Sequence, residues 1–257
     1  MTKEVCSCLG TRVVEFLIQS AQDLQVSPIV KYSALSLYAD RFYPSLSITN
    51  DVKTWLLHPL RESNLQLFAL VAIWISSKIH DSPSLSVKSF KSLADNTIKE
   101  QHFTAKDFLE AELVLIQVLN YEIGTLTIPF RYFEDLVMKL SEVARVGEQL
   151  RLEACMDIMD LLYEKGKISS FNCSSIHLAA SIVVAAYVIT VPLQKSEFPI
   201  LLWVELHSTV LVFHVTILNS RGTLWNCLDN ELQCSSIVAL RELGGGSNNV
   251  IVQELEY

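Results

Sequence analysis

The 257-residue sequence predicts an all-α fold: a five-helix bundle, then a second, incomplete helical bundle, then an irregular tail. Three observations predict it. Apolar residues recur on a helical period in eight successive stretches, the third stretch of each of two groups is the most apolar, and the helical period ends near Gln194. A helix without a polar face must be enclosed by others, so two such helices mark the centres of two bundles. The two groups match in pattern, with little residue identity.

In chain order, residues 11–25 place Val13, Val14, Phe16 and Leu17 on neighbouring turns with Gln and Asp elsewhere, the pattern of an amphipathic helix that Ser27-Pro28 ends. Residues 31–42 turn Leu35, Leu37, Tyr38 and Phe42 inward, and Pro44 is expected to stop this short helix. Residues 47–50 and 63–64 offer candidate caps for the next stretch, 65–79, which is apolar nearly all round and is the expected central rod. Beyond Asp81-Ser82-Pro83, residues 87–96 form a short helix. The stretch 104–121 opens on a capping signature, Thr104 followed three residues on by Asp107.

The second group comprises residues 129–140, 145–165 and 173–191. After it, residues 200–202, 209–216 and 237–240 are rich in β-branched and aromatic residues, and Gly244-Gly245-Gly246-Ser247 has the composition of a linker. The expected division is a first unit over 10–125, a partial second unit over 126–192, and an atypical tail over 193–257 that is strand-like or poorly structured. Residues 176–193 carry no formal charge over 18 positions, near the length of a membrane span, so a small membrane protein is one alternative. Ala, Ser and His177 dilute that stretch and no basic cluster flanks it, which makes a buried central helix the expectation.

Half of the residues are hydrophobic, and the formal net charge is −8 with a pI near 5.3. An acidic balance argues against a nucleic-acid binder, which carries a basic face, and leaves proteins as the expected partners. The cysteines (Cys6, Cys8, Cys155, Cys173, Cys227 and Cys234) include no C-x-x-C pair, so neither a zinc ribbon nor a disulfide framework is expected. A reduced intracellular compartment, nucleus and/or cytoplasm, fits this usage, and Glu15 interrupts the apolar run that a signal peptide would need. No G-x-S-x-G, G-x-x-x-x-G-K or H-E-x-x-H motif occurs. His58, His80, His102, His207 and His214 lack ligand spacing, and Glu110 and Glu112 fall on different faces of one helix. No enzyme, no cofactor and no metal site are expected.

Several positions carry a resemblance to the cyclins. Ile75-Ser76-Ser77-Lys78-Ile79 resembles the (L/A)-A-S-K-(F/Y) box that closes the family's third helix. Glu112, Leu119 seven residues on, and Tyr121 after one polar residue resemble its fifth-helix pattern. Tyr38-Ala39-Asp40-Arg41-Phe42 is similar to the Y-x-D-R-F of the second helix, and Arg12 falls about where the first helix has the arginine that pairs with that aspartate. The resemblance covers 10–125 in motif and 126–192 in outline, and points to the small plant J-type members.

That resemblance implies a cyclin-like fold in each unit and a non-catalytic subunit that binds and activates a cyclin-dependent Ser/Thr protein kinase in cell-cycle or cell-division control. The first unit would hold the kinase's regulatory helix inward and so complete the Lys–Glu ion pair that positions ATP. Lys78 would donate to backbone carbonyls of the kinase segment and Glu112 would accept from its backbone N–H groups. Ile75, Ile79, Ile116, Tyr121 and Ile123 would supply the apolar surround, and Arg12 and Asp40 a buried structural pair. Members that recruit substrates through a surface groove have M-R-x-I-L-x-x-W in the first helix and a Gln opening the third. Gln66 is present and Val14 and Ile18 occupy groove positions, but Glu15 places a charge in the groove's floor. The family's two closing helices have no counterpart here, so residues 173–191 are expected to expose apolar surface. A transcription-factor-like cyclin-fold adaptor is the other alternative; it would want a basic face and a zinc ribbon.

Overall fold

The computed structural model describes residues 3–46, 54–124, 128–144, 151–165 and 174–190, and among these every regular element is helical, as an all-α fold requires. The tail expected to be strand-like or poorly structured and the candidate cap at 47–50 lie outside the described residues. The chain divides into two compact units. Described residues within 3–131 and 159–165 belong to the first, and those within 132–158 and 174–190 to the second, so the first unit draws on a segment well beyond residue 125.

Helix α1, Lys3–Asp23, starts eight residues before the amphipathic pattern does, because nothing upstream of Thr11 breaks it. Val13, Val14, Leu17, Ile18 and Ala21 form its buried stripe. Gly10 permits a close approach, since a Cβ there would come within 2.8 Å of the Tyr43 ring. The chain leaves α1 through Gln25 at φ 51° and enters α2, Pro28–Leu35, with Pro28 in the first turn, where its missing N–H costs nothing.

The next step departs from expectation. Instead of stopping before Pro44, the backbone widens into a π-helical turn, Ser36–Phe42, and continues as α3, Tyr43–Ser45. Proline has no N–H and its ring crowds the carbonyl four residues back; the wider register, in which Tyr43 N–H reaches the Tyr38 carbonyl, opens the backbone just ahead of the ring.

Helix α4, Glu62–His80, is the central rod. From Ser63 to Ser77 every residue is buried except the half-buried Gln66. Ser63 and Asn64 therefore lie inside the helix and do not cap it; Arg61 holds the cap position, and Glu62 brings negative charge to the first turn, where the helix dipole favours it. The rod packs against α1, α2, the π-helical turn, α5 (Val87–Thr97) and α6 (Ala105–Val118). Phe42 meets Phe68 with ring centroids 4.7 Å apart, and Trp74 meets Phe90 at 6.3 Å. Ser86 caps α5 by accepting from Ser89 N–H. In α6 both halves of the capping box form: Thr104 Oγ1 accepts from Asp107 N–H, and Asp107 Oδ2 accepts from Thr104 N–H at 2.7 Å. The helix stops before Tyr121 because Asn120 and Tyr121 take left-handed φ values of 51° and 63°.

Helices α7, Pro129–Ala144, α8, Leu152–Glu164, and α9, Ser175–Thr190, follow. Helix α8 begins later than residue 145. Its last turns belong to the first unit, where Tyr163 donates to Asp40 Oδ2 at 3.2 Å and Lys31 pairs with Asp160. Where residues of 173–191 are described, the expectation of exposed apolar surface is corrected: Leu178, Ala179, Ala180, Ile182, Val183, Ala185 and Ala186 are buried. Among the described residues no helix is long and apolar enough to cross a membrane, so the membrane alternative finds no support there.

Replacing Thr104 by Ala is expected to lower stability by about 1 kcal/mol through loss of the cap. Phe68→Ala, which empties the aromatic contact with Phe42, is expected to cost about 3–5 kcal/mol, both read from denaturant unfolding with an unchanged slope.

Candidate functional site

The exposed residues of α4, Lys78 and Ile79, lie in its last turn. Lys78 Nζ lies 3.5 Å from the ring centroid of Trp74, one turn back, and 2.6 Å from Glu112 Oε1 of α6. Two charges 34 residues apart in sequence thus form one ion pair on the surface where α4 and α6 meet. Lys78 is partly exposed and Glu112 less so, and such a pair is worth about 0–1 kcal/mol to the fold. Its main effect is positional: ring and carboxylate together hold the ammonium in place.

The apolar residues expected beside the pair differ in exposure. Ile79 is exposed, Ile116 and Ile123 are half-buried, and Tyr121 is 69% exposed on its left-handed turn. Ile75, at 2% exposed, belongs to the core, because α4 is enclosed by its neighbours there. Two residues that the motif comparison passes over are exposed instead: Leu109 and Leu113, the latter at 61%. The sequence did carry their signal. Phe108, Ala111, Val114, Leu115 and Val118 take the core positions of α6, which leaves leucines at 109 and 113 on the outer face.

The expected Arg12–Asp40 pair is corrected. Arg12 is exposed and pairs with Glu62 in the first turn of α4. Asp40 lies in the π-helical turn, whose wider register shifts side-chain phase away from the 3.6-residue repeat, and it is held by hydroxyls, those of Ser36 and Tyr163. Burial raises the Asp40 carboxyl from 3.8 to about 6, the hydrogen bonds from Ser36 and Tyr163 offsetting part of that rise, and burial also raises the Tyr163 hydroxyl, which stays a donor. The groove positions, already set against docking by the charge of Glu15, lie as follows. Val14 and Ile18 are buried on the core side of α1 while Glu15 is exposed and Gln66 half-buried, so these positions present no open apolar floor. Among the described residues no group of His, Cys, Asp and Glu side chains could hold a metal ion.

The site is thus a paired charge on two packed helices of an all-helical unit built around one buried rod. Residues 9–124 match the sequence profile of the cyclin N-terminal domain. Over 201 residues the chain is 58% identical to Cyclin-J18 of Arabidopsis thaliana, covering 77% of this chain and 86% of that protein. It is 49% identical over 202 residues to a Cyclin-J18-like protein of Oryza sativa subsp. japonica (75% and 77%) and 22% identical over 152 residues to the G1/S-specific cyclin-D1 of Mus musculus (59% and 45%). The chain belongs to the cyclin family, near its plant J-type members, and is a regulatory protein.

A carboxyl raised in the folded state contributes stability that is fully present below its unfolded value of 3.8 and is lost as pH rises through about 6. Relative to Asp40→Asn, the wild type is therefore expected to lose stability between pH 4 and pH 7.5, by at most about 3 kcal/mol, in denaturant unfolding at a series of pH values.

Proposed function

We propose that this cyclin binds and activates a cyclin-dependent Ser/Thr protein kinase, in control of the cell cycle or cell division, in the nucleus and/or cytoplasm. The observation that carries the reading is the Lys78–Glu112 pair on its apolar rim. In the free protein each charge satisfies the other. On binding, Lys78 donates to backbone carbonyls of the kinase's regulatory segment and Glu112 accepts from its N–H groups, while Ile79, Ile116, Tyr121 and Ile123 exclude water around them. The exchange sacrifices little, because the internal pair is partly exposed, and the new bonds form in a drier setting where they are stronger. Two features support the cell-cycle role: the family itself, and a relative whose name is G1/S-specific cyclin-D1.

Against a panel of purified cyclin-dependent kinase subunits, Lys78→Ala and Glu112→Ala are each expected to weaken binding by about 2–5 kcal/mol, since each leaves buried partner groups unpaired. Their thermal midpoints should stay near wild type, given the pair's small share in the fold. A wild type that binds no kinase in the panel, or two variants that bind as well as wild type, would count against the reading.

A further inference from the structure

Among the described residues of the first unit, the large apolar side chains left exposed are Trp55, Ile79, Leu109, Leu113 and Tyr121. Exposed apolar residues scattered singly need no explanation, but these gather about one helix. Ile79 follows Lys78 directly, and Tyr121 lies just past the end of α6, where its N–H reaches the Ile116 carbonyl at 2.9 Å. Leu109, Leu113 and Ile116 stand four and seven residues apart on α6, a strip about 10 Å long whose near border is Glu112. At the far border Glu110 Oε1 accepts from Thr54 Oγ1 at 3.3 Å, which fastens the turn at residues 54–58 beside the strip. That turn is anchored on both sides of its tryptophan. Leu57 and His58 N–H both reach the Thr54 carbonyl at 3.1 Å, and Leu56 and Leu57 are buried, while Trp55, between Thr54 and Leu56, is 46% exposed.

We infer that the kinase-binding face continues from the Lys78–Glu112 pair along α6, over Leu113 and Leu109, to Trp55, and that the same kinase buries Trp55 as an anchor at its far edge. The inference rests on the kinase reading above. Interface area is what carries it: a stable interface covers about 800 Å² per partner, so a footprint centred on Glu112 extends well past a strip that starts one residue away from it. A tryptophan held outward by fixed neighbours loses little side-chain freedom when covered and offers a large apolar area, the combination found at energetic centres of interfaces.

The test uses the full chain and the kinase subunit that wild type binds in the purified panel, with affinity and thermal midpoint measured for Trp55→Ala, Trp55→Phe, Leu109→Ser and Lys78→Ala. Trp55→Ala and Leu109→Ser are expected to weaken kinase binding about tenfold or more with unchanged midpoints, and Trp55→Phe to retain most of the affinity. If Lys78→Ala loses binding while Trp55→Ala and Leu109→Ser bind as wild type, the extension is wrong and the kinase reading stands. If wild type binds no kinase, the reading and the extension fall together. A dimer of this chain that Trp55→Ala dissociates in sedimentation equilibrium would also overturn the extension, because the strip would then be covered by a second copy.

Discussion

The enclosure of α4 is the constraint from which the rest of the first unit follows. Fifteen residues from Ser63 to Ser77 leave almost nothing for water to contact, so the helix is stable only with neighbours on every side. Helices α1, α2, α5 and α6 are those neighbours, and each carries an apolar stripe because it has one face to give to the rod and one to solvent. The aromatic contacts of Phe68 with Phe42 and of Trp74 with Phe90 tie the rod at two levels to different partners, which fixes its rotation as well as its place.

The same enclosure explains where function can be. A helix buried over most of its length has little to offer a partner except its end, and the proposed kinase contact falls in the turn that carries Lys78 and Ile79. A lone ammonium on so apolar a rim would be poorly solvated; Trp74 beneath it and Glu112 beside it remove that difficulty without burying the charge. In the proposed kinase-binding role, charges already held in place would reduce the entropy lost on binding.

Much of this was legible from residue order. The helical period, the absence of a polar face at 65–79, and the Thr104–Asp107 capping box each specify local structure through interactions within a turn or two, so they survive without knowledge of the fold. The misread elements share a different cause. Pro44 stops a helix only if the backbone before it keeps the α register, and the π-helical turn removes that condition. Ser63 and Asn64 have the chemistry of caps, but the buried rod needs them inside. Ile75, three residues before Lys78, has the look of a rim residue and is core because its neighbours close over it. Leu109 and Leu113 could have been found by subtracting the core positions of α6 from its apolar ones.

Local order along the chain was enough to establish the helices, the central rod, the family motifs and the two charges most worth asking about. It could not say that Lys78 and Glu112 meet, that Arg12 turns to Glu62, or that Asp40 receives a hydroxyl from Tyr163, 123 residues away. Those pairings depend on helix phase and crossing, which are set when side chains from distant segments compete for the same volume. A change of register by a fraction of a turn, as in the π-helical segment, re-aims a side chain without altering a letter of the sequence around it.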